Sequence, residues 1–154
     1  MALAWCFNEP WPGAANLSLL SWPDRPKASL ATVGQACRPV LASARLRKFQ
    51  WSAGEAFDPE LWILNDRQEA LPAGVLELWI EAGESRIQLL RWDYPPAEAA
   101  RNIQGPRAHL LLPEMAADHF ELVLNAQNMP EMNSRYRLSY RKSGKIERER
   151  RMNI

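Results

Sequence analysis

From Pro39 onward the chain alternates apolar and polar positions with a period of about two. Val40, Ala42, Ala44 and Leu46 interleave with Leu41, Ser43, Arg45 and Arg47, the pattern of a strand with one buried face. A turn around Ser52-Ala53-Gly54 leads to Phe57 and then to the strand-like run Leu61-Trp62-Ile63-Leu64-Asn65-Asp66. Leu71-Pro72-Ala73-Gly74 turns into Val75, Leu76, Leu78, Trp79 and Ile80. After Ala82-Gly83-Glu84, residues Ile87, Leu89, Leu90 and Trp92 supply another strand, and the Gly83 spacing predicts a hairpin. Asp93 to Gly105, with Pro95-Pro96, reads as a long crossing loop. Three more alternating runs follow: Ala108, Leu110 and Leu112; Phe120, Leu122 and Leu124; Tyr136, Leu138 and Tyr140. About seven strands within about 100 residues predict a mainly β fold, an immunoglobulin-like antiparallel β-sandwich over residues 39–142. Its core is expected from Leu61, Ile63, Val75, Leu78, Ile80, Leu110, Leu122, Leu124 and Leu138.

The first 38 residues have a different texture. A short apolar run through Ala2 to Phe7 ends in Asn8-Glu9-Pro10-Trp11-Pro12-Gly13, which reads as a strand buried on both faces with its polar groups at its C-terminal end. Leu19, Leu20 and Trp22 lead into a turn at Pro23-Asp24-Arg25-Pro26, and Lys27 to Arg38 has helical composition before the stop at Pro39. One β/α unit cannot bury its own faces, because a parallel strand needs neighbours and covering helices. Residues 1–38 are therefore expected to be weakly held, or to self-associate. Residues 143–154 read as a solvated, mixed-charge tail.

Composition narrows the function. Nineteen Lys and Arg against 18 Asp and Glu leave a net charge of +1, so no global field draws in nucleic acid or an anionic membrane, and neither is expected as a partner. No run approaches the ~20 apolar residues of a membrane-spanning helix. Cys6 and Cys37 are too few for a disulfide framework, and their apolar neighbours predict free, buried thiols. Seven tryptophans and 12 prolines fit many short elements with aromatic wedges between tight corners.

Candidate chemistry is sparse. The carboxylate pairs Asp58/Glu60, Asp66/Glu69 and Glu114/Asp118 fall in turns or on the polar side of strands, where solvated charge is the expectation. His109 and His119 have no Cys or acidic neighbours at ligand spacing, so no metal site is predicted. There is no Gly-rich phosphate loop, no nucleophile elbow and no nucleophile with a His partner, so neither a cofactor nor a catalytic residue is expected. Asn16-Leu17-Ser18 matches a glycosylation sequon, a short pattern that arises often by chance. Arg91-Trp92 and Arg135-Tyr136-Arg137 alternate base and ring as single-strand nucleic-acid binders do, but without the charge such a groove needs.

One ordered set of motifs is more informative. Trp5-Cys6-Phe7-Asn8-Glu9-Pro10-Trp11-Pro12, then Arg25-Pro26-Lys27-Ala28 ahead of a helix, then Arg38-Pro39, resembles the last barrel strand and helix of family 2 glycoside hydrolases. Further on, Trp51-x-x-Gly54-Glu55-x-Phe57-x-x-Glu60-Leu61-Trp62-Ile63-Leu64-Asn65-Asp66 resembles the sandwich behind the barrel in β-mannosidase-like members. Glu9-Pro10 stands where that family more usually has Asp and another residue. The resemblance implies a remnant of barrel strand 8 and helix 8 in residues 1–38, followed by an accessory sandwich. It also implies two catalytic glutamates on strands that precede residue 1, and hence no activity in isolation. Trp5, Asn8 and Trp11 would then border the sugar site of the intact parent, whose barrel is the implied partner and whose carbohydrate is the implied substrate. The alternative is a separate carbohydrate-binding module, with Trp51, Trp62, Trp79 and Trp92 as candidates for an exposed platform. Coplanar, solvent-facing rings on one sheet would favour that module, and covered rings would favour a buttress.

Overall fold

The change of period at Pro39 is also where the fold divides. In the computed structural model, described for residues 6–13 and 17–142, the chain separates into two units, Met1–Arg38 and Pro39–Ile154.

In the first unit, strands β1 (Leu20–Ser21) and β2 (Arg25–Pro26) pair antiparallel around Trp22-Pro23-Asp24. The segment read as a plain turn is thus a small hairpin. Asn8 makes a single parallel bridge to Leu20, supported by Glu9 N–H to Leu20 O at 3.1 Å and by the Leu19 and Leu20 N–H groups to Phe7 O at 3.0 Å. Lys27 N–H bonds to Leu19 O at 3.0 Å and hands the chain to helix α1 (Ala28–Ala36). Helix α1 ends where Cys37 N–H reaches Val33 O at 2.9 Å, two residues before Pro39. The helix expected over Lys27 to Arg38 is present, but none of its residues is buried.

Two expectations here need correction. The strand read through Ala2 to Phe7 lies largely outside the described residues, and its described end, Cys6 and Phe7, is exposed and joins no ladder. A strand buried on both faces needs a partner on each side, and the one bridge at Asn8 does not supply that. Cys6 and Cys37 are free as expected, but both are exposed rather than buried, so apolar neighbours in sequence did not translate into cover.

The second unit is built from β3 (Val40–Arg45), β4 (Gln50–Ser52), β5 (Ala56–Phe57), β6 (Glu60–Asn65), β7 (Gly74–Ala82), β8 (Ser85–Tyr94), β9 (Ile103–Arg107), β10 (Leu110–Leu111), β11 (His119–Ala126) and β12 (Ser134–Arg141). A five-stranded sheet runs β4-β12-β11-β7-β8, a three-stranded sheet runs β3-β6-β9, and β10 pairs with β5. Every pairing is antiparallel except β12 with β4, which is parallel. This is a mainly β unit with one shared core, consistent with a β-sandwich. From β3 and β6 come Val40, Ala42, Leu61 and Ile63, and from β7, β11 and β12 come Leu76, Leu78, Ile80, Phe120, Leu122, Leu124 and Leu138, all essentially inaccessible. Phe57 sits between Trp51 and Phe120, with ring centroids 4.8 and 5.6 Å away in edge-to-face contact. Val75 and Leu110, expected in this core, are only half-buried.

Local chemistry explains the turns. Gly83 follows β7 at φ +59°, and Ala82 pairs with Ser85 across the two-residue loop, as a hairpin with a positive φ at its first turn residue requires. Gly54, at φ +72°, takes the left-handed position of the turn between β4 and β5 and donates to Leu112 O at 2.8 Å. Asp93 to Gly105 is not wholly a loop: β8 continues to Tyr94, Ala97 and Leu71 exchange hydrogen bonds at 2.8 and 3.0 Å, and β9 begins at Ile103. The β9 sequence Ile-Gln-Gly-Pro-Arg carries no apolar alternation, because its Gly105 lies against the flat ring of Trp92.

Candidate functional site

The residues that the motif order brings forward fall first in Phe7 to Lys27. Glu9, expected among the polar groups at the end of a strand, is 5% exposed and is the centre of the first unit. Its Oε1 accepts from Lys27 Nζ at 2.8 Å, and its Oε2 accepts from Trp22 N–H at 3.1 Å. Ser18 Oγ lies 3.3 Å from Glu9 Oε1 and 2.8 Å from Leu20 O, and its one proton serves one of them at a time. Lys27 Nζ also donates to Ser18 Oγ at 3.2 Å. The hydrogen bond from Lys27, helped by the Trp22 N–H, holds the Glu9 carboxyl below the usual carboxylate range. Two motif segments 18 residues apart are thereby locked through one carboxylate.

Around this anchor the loop presents its apolar side chains to solvent. Phe7, Trp11, Leu17 and Trp22 are all exposed, Trp11 to 69%. Asn8 is exposed and fixed only through its backbone bridge to Leu20. Trp5 lies outside the described residues. Of the three candidate sugar contacts, Asn8 and Trp11 therefore share one anchored loop, and neither side chain has a hydrogen bond or ring partner among the described residues. Glu9 and Lys27 were missed as a pair, although the opposite charges in two adjacent motif segments were a readable signal.

A second polar centre lies on the three-stranded sheet. Glu60, read as solvated charge, is 7% exposed. It accepts from Trp62 Nε1 at 3.1 Å, Gln104 Nε2 at 3.0 Å and Arg107 Nη2 at 3.2 Å, with Arg45 Nη1 at 3.8 Å. Its neighbour Asp58 binds Arg47 and, at 3.2 Å, Arg107 Nη1. The Trp62 indole and then the Arg107 guanidinium lower the Glu60 pKa, while the hydrogen bond that Arg107 donates to Glu60 raises that of Arg107. Register explains the convergence: Arg45, Glu60 and Arg107 occupy one row across β3, β6 and β9. An open polar cleft of about 340 Å³ lies over this row. Every carboxylate oxygen of Glu60 has a donor, so the pair behaves as a structural clasp and has no proton to exchange at neutral pH.

The remaining motif residues also have structural work. Glu55 Oε2 accepts from Ser52 N–H at 3.0 Å, closing the Gly54 turn, and its other oxygen pairs with Lys48. Asn65 is inaccessible; its Nδ2 donates to Glu69 O at 3.0 Å and Glu98 O at 2.9 Å, and its Oδ1 accepts from Arg67 N–H at 3.2 Å. Of the four sandwich tryptophans, Trp51 is buried, and the others are half-covered. The Arg86 guanidinium lies 4.2 Å from the Trp79 ring centroid, and Trp92 packs on Gly105 and edge-on to Tyr94. His109 and His119 are exposed. Among the described residues no three His, Cys, Asp or Glu side chains converge, and no described helix is long and apolar enough to cross a membrane.

No family model and no curated protein matches the chain. Solved structures with similar backbones include the sporulation control protein Spo0M of Bacillus subtilis, at 12% identity and a TM-score of 0.49, covering 71% of this chain and 52% of that one. The alkylpurine DNA glycosylase AlkC of Pseudomonas fluorescens, bound to DNA containing an abasic site analog, gives 9%, 0.45, 73% and 33%. A superoxide reductase (neelaredoxin) from Ignicoccus hospitalis gives 12%, 0.44, 66% and 80%. The chain thus spans about half of the Spo0M chain and a third of the AlkC chain. Likenesses at this level carry no argument about function.

Proposed function

We propose that this chain is the C-terminal accessory region of a retaining, β-mannosidase-like glycoside hydrolase of family 2. In this reading residues 39–142 are an immunoglobulin-like sandwich that buttresses a (β/α)₈ barrel. Residues 6–38 belong to the last strand and helix of that barrel. The reading rests on the ordered motifs, and the observation that carries it is the meeting of two of them, Asn8-Glu9 and Arg25-Pro26-Lys27, in an ion pair of 2.8 Å between the buried Glu9 and the half-buried Lys27. A chance string of motif-like residues has no reason to fold into one anchored unit. The character of α1 adds support: a helix with no buried residue, beside exposed Phe7, Trp11 and Trp22, suits an element whose covering partner is another domain.

The parent would hydrolyse β-glycosides with two carboxylates about 5 Å apart, both supplied by the barrel. Here the two buried acids among the described residues are committed to cations, Glu9 to Lys27 and Glu60 to Arg107. Trp5, Asn8 and Trp11 would border the sugar. A separate carbohydrate-binding module is the weaker reading, since Trp51 is buried and Arg86 covers Trp79. The test is to join this chain in frame to the coding region upstream of Met1 and assay nitrophenyl β-mannoside and β-galactoside. The joined protein should turn over one of them and the chain alone neither. An upstream region encoding no barrel, or turnover by the chain alone that is lost on changing one of its own acids, would overturn the proposal.

A further inference from the structure

The outer face of the five-stranded sheet is unevenly balanced in charge. Toward β7 and β8 each cation has an acid: Arg135 pairs with Glu121 and, at 3.1 Å, with Glu81; Arg86 reaches Glu81 at 3.2 Å; Arg91 reaches Glu77 at 3.7 Å. Toward β4 the pattern changes. Along β12 the buried Leu138 and Tyr140 alternate with the exposed Arg137, Ser139 and Arg141. Neither arginine has a carboxylate partner among the described residues. Arg137 Nη2 lies 3.4 Å from His119 Nδ1. With the Gln50 amide turned so that its oxygen faces Arg141, that oxygen accepts from Arg141 Nε at 2.6 Å and Nη2 at 3.1 Å.

Arg141 and Gln50 border a cleft of about 490 Å³ lined also by Lys48, Phe49, Ser52 and Ser139. The parallel register of β12 with β4 sets Ser139 beside Gln50 and Arg141 beside Ser52, with Trp51 and Tyr140 turned into the core. No carboxylate lines the cleft. The nearest acid by sequence, Glu55, is occupied by Lys48 and the Ser52 N–H. At its edge Phe49 is 65% exposed, which leaves its ring free to lie against a flat ligand face.

We propose that this cleft binds an anionic sugar, a pyranose carrying a carboxylate. The planar guanidinium of Arg141, which has no acid partner among the described residues, takes the carboxylate as a fork, while Lys48 stays paired with Glu55 at the side of the cleft. Ser52, Ser139 and the Gln50 amide meet the ring hydroxyls, and Phe49 covers one sugar face. The site lies wholly within residues 39–142 and does not depend on the hydrolase reading. Titration of the isotope-labelled chain with glucuronate, followed by amide shifts, tests it. Shifts confined to Phe49–Ser52 and Ser139–Arg141, saturating with a Kd on the order of 1 mM, are expected. Arg141→Met and Phe49→Ala should each weaken binding about tenfold or more, with unchanged amide positions in β7 and β11 reporting that the fold is kept. Glucose should bind about tenfold more weakly than glucuronate. No localised shift with glucuronate, equal binding of glucose, inorganic phosphate binding as tightly as the sugar acid, or unchanged affinity in both variants would overturn the proposal.

Discussion

Residues 39–142 and residues 6–38 are held together by opposite means. The larger unit is organised by apolar burial: Phe57, Phe120, Leu61, Ile63, Leu78 and Ile80 close one core, and polar clasps such as Glu60 with Arg107 sit at its margin. Among its described residues the smaller unit has no such core. Its most buried described side chains are polar, Ser18 at 2% and Glu9 at 5%, while Phe7, Trp11 and Leu17 face solvent. Burial is non-directional and accumulates with area, so the larger unit tolerates loss of any one polar bond. A single carboxylate with several donors is all-or-nothing, because removing it leaves its partners unmet. One unit is thus built to stand by itself, and the other is arranged around a hook.

The sharpest way to break this contrast is in the core. Phe57→Ala should cost the larger unit about 3–5 kcal/mol in denaturant unfolding, and Val33→Ala in α1 should leave the same transition unmoved. Similar losses from both would show that the helix shares the core. Gly105→Ala comes next: an added Cβ would overlap the Trp92 ring, and the expected cost is about 1–3 kcal/mol. A neutral result would mean that Trp92 can swing away and does not hold β8 to β9.

The third test is acid. Glu60 and Glu9 both have lowered folded-state pKa values, so the stability they contribute is full above the ordinary Glu value of about 4.3 and is lost as the pH falls from there through the lower folded values. Glu60→Gln should flatten the acid limb of the larger unit's melting profile, and Glu9→Gln should not touch it. A loss of slope in that transition with Glu9→Gln would contradict the division of labour. Smallest in stability is Trp11→Ala, with no shift in melting temperature expected from so exposed a ring. In the joined parent it should lower kcat/KM by about tenfold, or about 1.4 kcal/mol. An unchanged kcat/KM would remove Trp11 from the sugar site.

How legible this was from sequence follows the same divide. Wherever burial drives structure, alternation reported it: the inward sets of β3, β6, β11 and β12 read directly, that of β7 did so except that Leu76 and not Val75 faces the core, and the Gly83 hairpin followed from turn chemistry. Short pairings with little apolar content were invisible. Strands β4 and β9 owe their place to neighbours far along the chain, and the β1–β2 hairpin, though local, is only two residues long on each side. Polar centres were the least legible. Glu60 looked like ordinary strand-edge charge because its partners, Gln104 and Arg107, are 44 and 47 residues away. Glu9 sat inside a motif without revealing that Lys27 would reach it. The two cysteines failed for the converse reason, since apolar neighbours bury a thiol only when some other element covers them all.

Hydrogen exchange resolved by residue, on a dilute and demonstrably monomeric sample, tests the central contrast most directly. Amides of β7 and β11 such as Ile80 and Leu122 should exchange only through global unfolding. The amides of Glu9, Leu20 and Trp22, which depend on the Glu9 hook and its two short pairings, should exchange far faster, and faster still in Glu9→Gln. Equal, global-level protection in both units would show that residues 6–38 share the core of 39–142, and the separation argued here would be wrong.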